Sequence, residues 1–202
     1  MKKKRKELKI NVKKCRRGKR NNAKQLSSSL RFLGVNAARL GSKMTTFKKV
    51  LSELKPSVFF VQETKLRNEG RLKLENYQVF ELIRKDKNGG GLAIGCDKRL
   101  KPTWVREGND DIEALSIDIF VSKKKIRCCV AYGCQESEVL ERKELFWKYL
   151  DKEVELAKNS NAGLVIQFDG NLCAGKNIIP GDPRTQNKNG KIFRKKPTPL
   201  CC

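Results

Sequence analysis

The chain has 202 residues, of which 38% are hydrophobic and 34% charged, a size and composition that allow one ordinary domain but not two. Its 46 Lys and Arg against 22 Asp and Glu give a formal net charge of +24, which favours a polyanionic partner such as nucleic acid or an acidic membrane face. The sequence contains no histidine, which excludes a Ser-His-Asp triad, a Cys-His pair and any imidazole base or metal ligand within this chain.

Neither a membrane span nor a secretory signal is found, because no run of about twenty apolar residues exists and no apolar segment follows the lysine-rich start. The eight cysteines include no Cys-x-x-Cys pair, so zinc binding is not favoured. Cys96, Cys128, Cys129 and Cys173 lie in or beside apolar runs and are expected to be reduced, buried side chains. We therefore expect an intracellular protein.

The N-terminal segment is strongly basic. Residues 1–24 hold 13 Lys and Arg and one Glu, so half of the net charge lies there with few apolar residues to bury. We expect residues 1–28 to form a disordered basic arm. Its first basic cluster is typical of a nuclear import signal or a phosphate-binding segment, and a merely solubilising arm is an equally good interpretation. The residues of this cluster are Lys2, Lys3, Lys4, Arg5 and Lys6.

The domain is expected to begin near residue 29 with a β-α-β unit. Leu30–Val35 has the length and composition of a buried strand, and Ser57–Gln62 is a second one. Between them, apolar residues at i, i+3, i+4 and i+7 predict an amphipathic helix that Pro56 ends. Strands joined by such a crossover run parallel and end at the same edge of a sheet, and those two ends are Asn36 and Glu63.

Five further strands and one long helix are predicted downstream. The strands are Tyr77–Leu82, Leu92–Cys96, Ile112–Val121, Ile126–Tyr132 and Leu164–Phe168. The turn at Ser122–Lys125 makes the third and fourth of these a hairpin. The helix, from about Glu138 to Lys158, is expected to bury one apolar face, formed by Val139, Phe146, Leu150, Val154 and Ala157. The last strand stops at Asp169, so a carboxylate again follows a buried strand.

Polar side chains at strand ends are the candidates for chemistry. Asn36, Glu63, Asp169 and Asn171 each follow an apolar run at the carboxyl end of a predicted strand, where open α/β sheets place ligand-binding groups. For any one of them, a turn former or a helix cap is the commoner interpretation. Their convergence on one edge is the stronger indication of a site.

Taken together and in order, five segments resemble the endonuclease/exonuclease/phosphatase superfamily, whose fold is that of DNase I, and in particular the endonuclease domains of non-LTR retrotransposons. The segments are Val35-Asn36, Lys55 to Lys65 with its Gln62-Glu63-Thr64, Gly89 to Ile94, Ala131 to Ser137, and Phe168-Asp169-Gly170-Asn171. The resemblance extends from about Ser29 to Phe193. It implies an α/β fold, a DNase I-like α/β sandwich in which two β-sheets are flanked by helices.

The resemblance also implies a chemistry, the hydrolysis of phosphodiester bonds with Mg²⁺ or Mn²⁺ and no small-molecule cofactor. It implies that Glu63, with Asn36, holds the metal, and that Asp169 orients or deprotonates the attacking water. It implies Asn171 as a donor to the phosphoryl oxygens and Tyr132 as a hydroxyl donor to the scissile phosphate. An aromatic side chain that closes the edge of the core is an equally good interpretation of Tyr132.

The sequence departs from the superfamily towards its end. The expected domain covers residues 29–195 and is followed by an aberrant tail, residues 196–202, in which Pro197 and Pro199 would stop the helix that begins near Asn189. Members of the superfamily carry further strands of the second sheet, an aspartate and a histidine that acts on the phosphate, and these are not found here. We therefore expect the second half of the fold to be incomplete and the activity to be impaired.

Three functions remain open. The first is a Mg²⁺-dependent DNA endonuclease domain of retrotransposon type. The second is a non-catalytic, basic nucleic-acid-binding remnant, held by the arm and by lysines of the domain. The third is a phosphatase of the same superfamily, against which the net charge of +24 argues. The expected partner is DNA, with RNA also open and no membrane, and the expected location is the nucleus.

Overall fold

The computed structural model describes residues 29–66, 72–84, 90–108, 112–134 and 138–169. They form two four-stranded β-sheets with one α-helix packed on the outer face of each. The strands are β1 (Phe32–Asn36), β2 (Val58–Gln62), β3 (Tyr77–Leu82), β4 (Leu92–Asp97), β5 (Thr103–Glu107), β6 (Glu113–Val121), β7 (Lys124–Tyr132) and β8 (Gly163–Asp169). The helices are α1 (Met44–Leu54) and α2 (Leu140–Asn159), and short 3-10 turns cover Gly41–Lys43 and Lys98–Leu100.

Each sheet ends in a β-α-β unit. The first sheet has the order β1-β2-β4-β3, with β1 parallel to β2 and the other pairs antiparallel. The second has the order β5-β6-β7-β8, with β7 parallel to β8 and the other pairs antiparallel. The predicted parallel pair and the predicted hairpin of β6 and β7 are confirmed. Helices α1 and α2 cross over between the parallel strands, so β1 and β2, and likewise β7 and β8, finish at a common edge.

The central apolar strands contribute side chains both to the core between the two sheets and to the core beneath a helix. In β2, Val58 and Phe60 face the second sheet, whereas Phe59 and Val61 face α1. A strand covered on both faces must be apolar at every position, which explains the uninterrupted runs in the sequence. β7 alternates in the same way, with Cys128 and Val130 between the sheets and Cys129 and Ala131 against α2.

Three of the four cysteines expected in the core are buried there. Cys96, Cys128 and Cys129 are free thiols with no exposed surface, while Cys173 lies outside the described residues. Burial raises the pKa of the Cys96 and Cys129 thiols to about 12, so both stay protonated at neutral pH. These thiols act as small apolar side chains, as the sequence indicated.

Helix α2 differs from its predicted form at its start. It begins at Leu140, and Val139, placed on the buried face by its spacing, is 62% exposed because it precedes the first helical turn. Phe146, Leu150 and Ala157 are buried as expected. In the part of the chain that the structure describes, neither helix has the length and hydrophobicity required to span a membrane.

The inner face of α2 also carries a buried charge. Glu153 has no exposed surface and accepts a hydrogen bond of 2.6 Å from Nε of Arg106 in β5. The guanidinium of Arg106 lies 4.4 Å from the ring centre of Tyr149. Arg127 in β7 lies between Glu153 and Asp118 and donates two hydrogen bonds to the latter, at 2.9 and 3.2 Å. This ion cluster joins three strands of the second sheet to its helix.

Candidate active site

The carboxyl ends of four strands meet at one rim of the sandwich. Asn36 ends β1, Glu63 follows β2, Tyr132 ends β7 and Asp169 ends β8. Asn36 Nδ2 donates to Glu63 Oε1 at 3.0 Å and to Asp169 Oδ2 at 3.1 Å, and the Tyr132 hydroxyl donates to Glu63 Oε1 at 3.3 Å. The structure thus brings four of the predicted site residues, two from each sheet, into one hydrogen-bonded cluster.

The other predicted site residues lie outside the part of the chain that the structure describes. Asn171 and the N-terminal cluster of Lys2, Lys3, Lys4, Arg5 and Lys6 lie outside the described residues, as do the proposed basic arm and the proposed tail. The geometry of the site therefore rests on the four rim residues and on the loops that carry them.

Close contacts between the two sheets lie directly behind the rim. A Cβ atom at Gly34 in β1 would lie 2.5 Å from Oε1 of Gln167 in β8, so the absence of a side chain at position 34 leaves room for Gln167. The buried side chain of Gln62 donates to the carbonyl of Ala131 at 3.3 Å. Both contacts lie within two residues of the cluster and set the spacing at which its side chains meet. A glycine inside a strand pattern was the available signal for this close approach.

The loop after β1 sets the orientation of the Asn36 amide. Oδ1 of Asn36 accepts a hydrogen bond of 3.1 Å from the backbone N–H of Ala38, which turns Nδ2 towards the two carboxylates. The backbone at Ala38 and Arg39 is left-handed, with φ of 48° and 108°, a turn that this side-chain bond supports. In this arrangement Asn36 holds the two carboxylates by donating to them, and its oxygen faces the backbone.

Glu63 lies in a strained loop that neighbouring backbone holds on both sides. Its φ of 51° is left-handed, which costs a non-glycine residue about 1–3 kcal/mol and persists only where the surroundings impose it. On one side, two amides of the loop after β1 donate to the carbonyls of Glu63 and Thr64, each at 2.9 Å. On the other, the amides of Thr64 and Lys65 donate to the carbonyls of Gly91 and Gly90 at 3.0 and 2.9 Å.

The electrostatic environment keeps Glu63 ionised. Burial raises the pKa of this carboxyl, but the hydrogen bonds from Asn36, Lys65 and Tyr132, together with the Lys65 charge, outweigh burial and hold the pKa below its ordinary value. Lys65 Nζ lies 3.2 Å from Glu63 Oε2. At neutral pH the site therefore presents a carboxylate at Glu63.

The donor set suits a hard divalent cation. Among the described residues, no group of three or more His, Cys, Asp and Glu side chains forms a ready metal cage. Mg²⁺ does not require one, because it binds through one or two carboxylates and keeps several of its waters. The two carboxylates held together by Asn36, with a hydroxyl beside them, meet that requirement in number and in chemistry.

No family model and no curated protein matches the sequence, whereas solved structures match the fold. The 3'-5' exonuclease NExo from Neisseria meningitidis superposes with a TM-score of 0.61 at 17% identity, over 82% of this chain and 69% of that chain. A second structure of NExo from Neisseria, described as a 3' phosphatase bound to a product DNA hairpin, superposes with a TM-score of 0.58 at 18% identity. The superposition covers 82% of this chain and 69% of that chain.

The endonuclease domain of TRAS1, a telomere-specific non-LTR retrotransposon, is also similar, with a TM-score of 0.56 at 15% identity, over 82% of this chain and 68% of that domain. Identities this low concern the fold and not the chemistry. The superpositions confirm the predicted fold class. The chain has a DNase I-like α/β sandwich fold.

Proposed function

We propose that this chain is a Mg²⁺-dependent phosphodiesterase that acts on DNA, an endonuclease domain of retrotransposon type. The observation that carries the proposal is the bridge that Asn36 makes between Glu63 and Asp169, at 3.0 and 3.1 Å, where the two β-α-β units end. The net charge of +24 supports a polyanionic substrate. The fold likeness to an exonuclease and to a retrotransposon endonuclease domain is consistent with this class of reaction.

Each residue of the cluster has a distinct part in this proposal. Glu63 would hold Mg²⁺, which when bound stabilises negative charge on the phosphoryl oxygens. Asn36, which the resemblance implies as a second metal ligand, keeps Glu63 and Asp169 in place through its Nδ2, and Asp169 orients the attacking water and accepts its proton. The Tyr132 hydroxyl, which donates to Glu63 in the free protein, donates to a phosphoryl oxygen when DNA is bound. Asn171 is proposed as a further donor to the phosphate.

We propose that turnover is slow. The 202 residues contain no histidine, so no imidazole of this chain can transfer a proton to or from the phosphate or stabilise charge on it. A single general acid-base or oxyanion-stabilising group contributes about 10²- to 10⁴-fold to a rate. An enzyme that lacks one such group is correspondingly impaired.

Nicking of supercoiled plasmid tests the proposal. We expect slow nicking in Mg²⁺ and none in EDTA, with loss of nicking in Glu63→Gln and in Asp169→Asn. Glu107→Gln is the matched control, because Glu107 is an exposed carboxylate of β5 and should leave nicking unchanged. Nicking that persists in both site variants, or that needs no divalent ion, would contradict the proposal.

A second candidate is a non-catalytic nucleic-acid-binding remnant, which the combination of +24 net charge and no histidine favours. It predicts DNA binding that weakens steeply with salt, is unchanged in Glu63→Gln, and occurs without nicking. A third candidate, a phosphatase, is raised by the similar structure that is described as a 3' phosphatase. It predicts phosphate release from a 3'-phosphorylated oligonucleotide and no cleavage of an unmodified strand.

A further inference from the structure

We infer that Glu113 is a positioning residue for Glu63. Glu113 fixes the two-glycine turn Gly90-Gly91, and this turn holds the loop that carries Glu63. The inference rests on the proposed function for what Glu63 does, and on the described contacts for how Glu63 is held. Glu113 lies outside the segments that carry the resemblance, and nothing in its sequence context marks it as part of a site.

Glu113 is a largely buried carboxylate behind the rim. It is the first residue of β6, directly opposite Tyr132 of β7, and its side chain is 12% exposed. Its Oε1 accepts a hydrogen bond from the backbone N–H of Gly91, and its Oε2 lies 3.5 Å from Arg84. Burial raises the pKa of Glu113 and the nearby charge of Glu63 raises it further, against the opposing effects of Gly91 and Arg84. The Gly90-Gly91 turn thus lies between the Glu113 carboxylate, which accepts from Gly91, and the amides of the two residues that follow Glu63.

The turn itself admits only glycine. Gly90 and Gly91 have φ of 71° and 84°, in the left-handed region. A Cβ atom at Gly90 would lie 2.7 Å from Oε2 of Glu113, and one at Gly91 would overlap the hydroxyl of Thr64. The turn is thus enclosed between the Glu113 carboxylate on one side and the Glu63 loop on the other.

Backbone hydrogen bonds connect the turn to the loop that carries Glu63. Its two carbonyls accept the hydrogen bonds from Thr64 and Lys65, the two residues that follow Glu63. Since the left-handed backbone of Glu63 persists only while its neighbours hold it, release of the turn should let the loop relax and move the carboxylate. Residues that orient a metal ligand without touching the metal typically contribute about 10- to 100-fold to metal affinity.

Mn²⁺ titration of the full chain, followed by electron paramagnetic resonance, tests this inference. Glu113→Ala removes the acceptor for the Gly91 amide and should weaken Mn²⁺ binding by about 10- to 100-fold. Glu113→Gln keeps a side-chain oxygen for that amide and should bind within about threefold of wild type. Gly91→Ala disturbs the same turn from the other side and should weaken binding as Glu113→Ala does. Glu107→Gln is the exposed control.

Amide hydrogen exchange tests the positioning separately from the metal. Glu113→Ala should speed exchange at Thr64 and Lys65 by about tenfold or more, while amides in the central strands β2 and β7 keep their protection. If wild type fails to bind Mn²⁺, or Glu63→Gln binds it equally well, the proposed function fails, and the exchange data still decide whether Glu113 holds the loop.

Two results would overturn the inference. One is that Glu113→Ala exchanges its Thr64 and Lys65 amides at the wild-type rate and binds Mn²⁺ with the wild-type affinity, even if its melting temperature falls. The other is a Glu113→Gln variant as weak in Mn²⁺ binding as Gly91→Ala, since the hydrogen bond to Gly91 would then not be what matters. If Glu113→Ala does not fold, the contrast between Glu113→Gln and Gly91→Ala still decides the matter.

Discussion

Replacement of Asn36 by alanine removes an amide that donates to both carboxylates of the rim. Glu63 Oε1 and Asp169 Oδ2 lie 3.0 and 3.1 Å from Asn36 Nδ2, so these oxygens are at most about 6 Å apart. Two unit charges at that distance repel each other by about 3 kcal/mol at an effective dielectric constant of 20, and by under about 1 kcal/mol in bulk water. Without the amide, this repulsion and thermal motion separate the carboxylates.

The loss in activity follows from the two bonds that disappear. A hydrogen bond to a charged group contributes about 1.5–3 kcal/mol. Asn36 is exposed, so water replaces part of each bond, and we expect a total loss of about 1.4–2.8 kcal/mol. That loss corresponds to a 10- to 100-fold slower cleavage. Asn36→Asp has the same size but cannot donate to carboxylates, so it should not restore the rate.

Single-turnover cleavage of an end-labelled DNA duplex, with protein in excess and Mg²⁺ present, measures this effect even for a slow enzyme. Asn159→Ala, which changes an exposed asparagine at the end of α2, is the control and should cleave like wild type. Cleavage by Asn36→Ala within about twofold of wild type, in a preparation where Glu63→Gln is inactive, would refute the reasoning.

Two further predictions concern stability. Glu153→Ala leaves the Arg106 guanidinium without its buried anion and should lower the free energy of unfolding by about 3–5 kcal/mol. The control, Glu155→Ala on the exposed face of α2, should change the free energy of unfolding by less than about 0.5 kcal/mol. Equal urea midpoints for the two variants would contradict this prediction. Burial raises the pKa of Asp118, but the hydrogen bonds and charges of Arg127 and Lys125 outweigh it and lower the pKa below 3.8. A carboxyl with a lowered folded-state pKa stabilises above its unfolded-state value and ceases to do so as pH falls, so the stability advantage of wild type over Asp118→Asn should shrink below pH 3.8. An advantage that stays constant from pH 7 to about pH 2 would count against the pairing.

The first β-α-β unit was predictable because its signals are local. The apolar runs of β1 and β2, the helical spacing of α1 and the proline after it together indicate the elements and the parallel pairing. The same reasoning placed Asn36, Glu63 and Asp169 at strand ends. Their approach to within hydrogen-bonding distance depends on the packing of one sheet on the other, which no local pattern encodes.

The parts that were not predicted depend on contacts between distant residues. β5 is a short edge strand, largely exposed and paired with β6, so its sequence shows little alternation. Glu153 and Lys143 are charged and would be expected on the outer face of α2, yet both are buried. For Glu153 the reason is Arg106, 47 positions earlier in the sequence. Glu113 likewise accepts a hydrogen bond from the amide of Gly91, 22 positions earlier in the sequence.

The most direct test of the proposed site is the position of a bound cation. Crystals of the full chain soaked in Mn²⁺ should show one strong anomalous peak at the rim, within coordinating distance of the Glu63 carboxylate and next to Asp169, and crystals of Glu63→Gln should lack it. A peak elsewhere on the molecule would contradict the proposal that these side chains form a metal-dependent active site. So would an empty rim in the crystal, if wild type and Glu63→Gln also bind Mn²⁺ in solution with the same affinity.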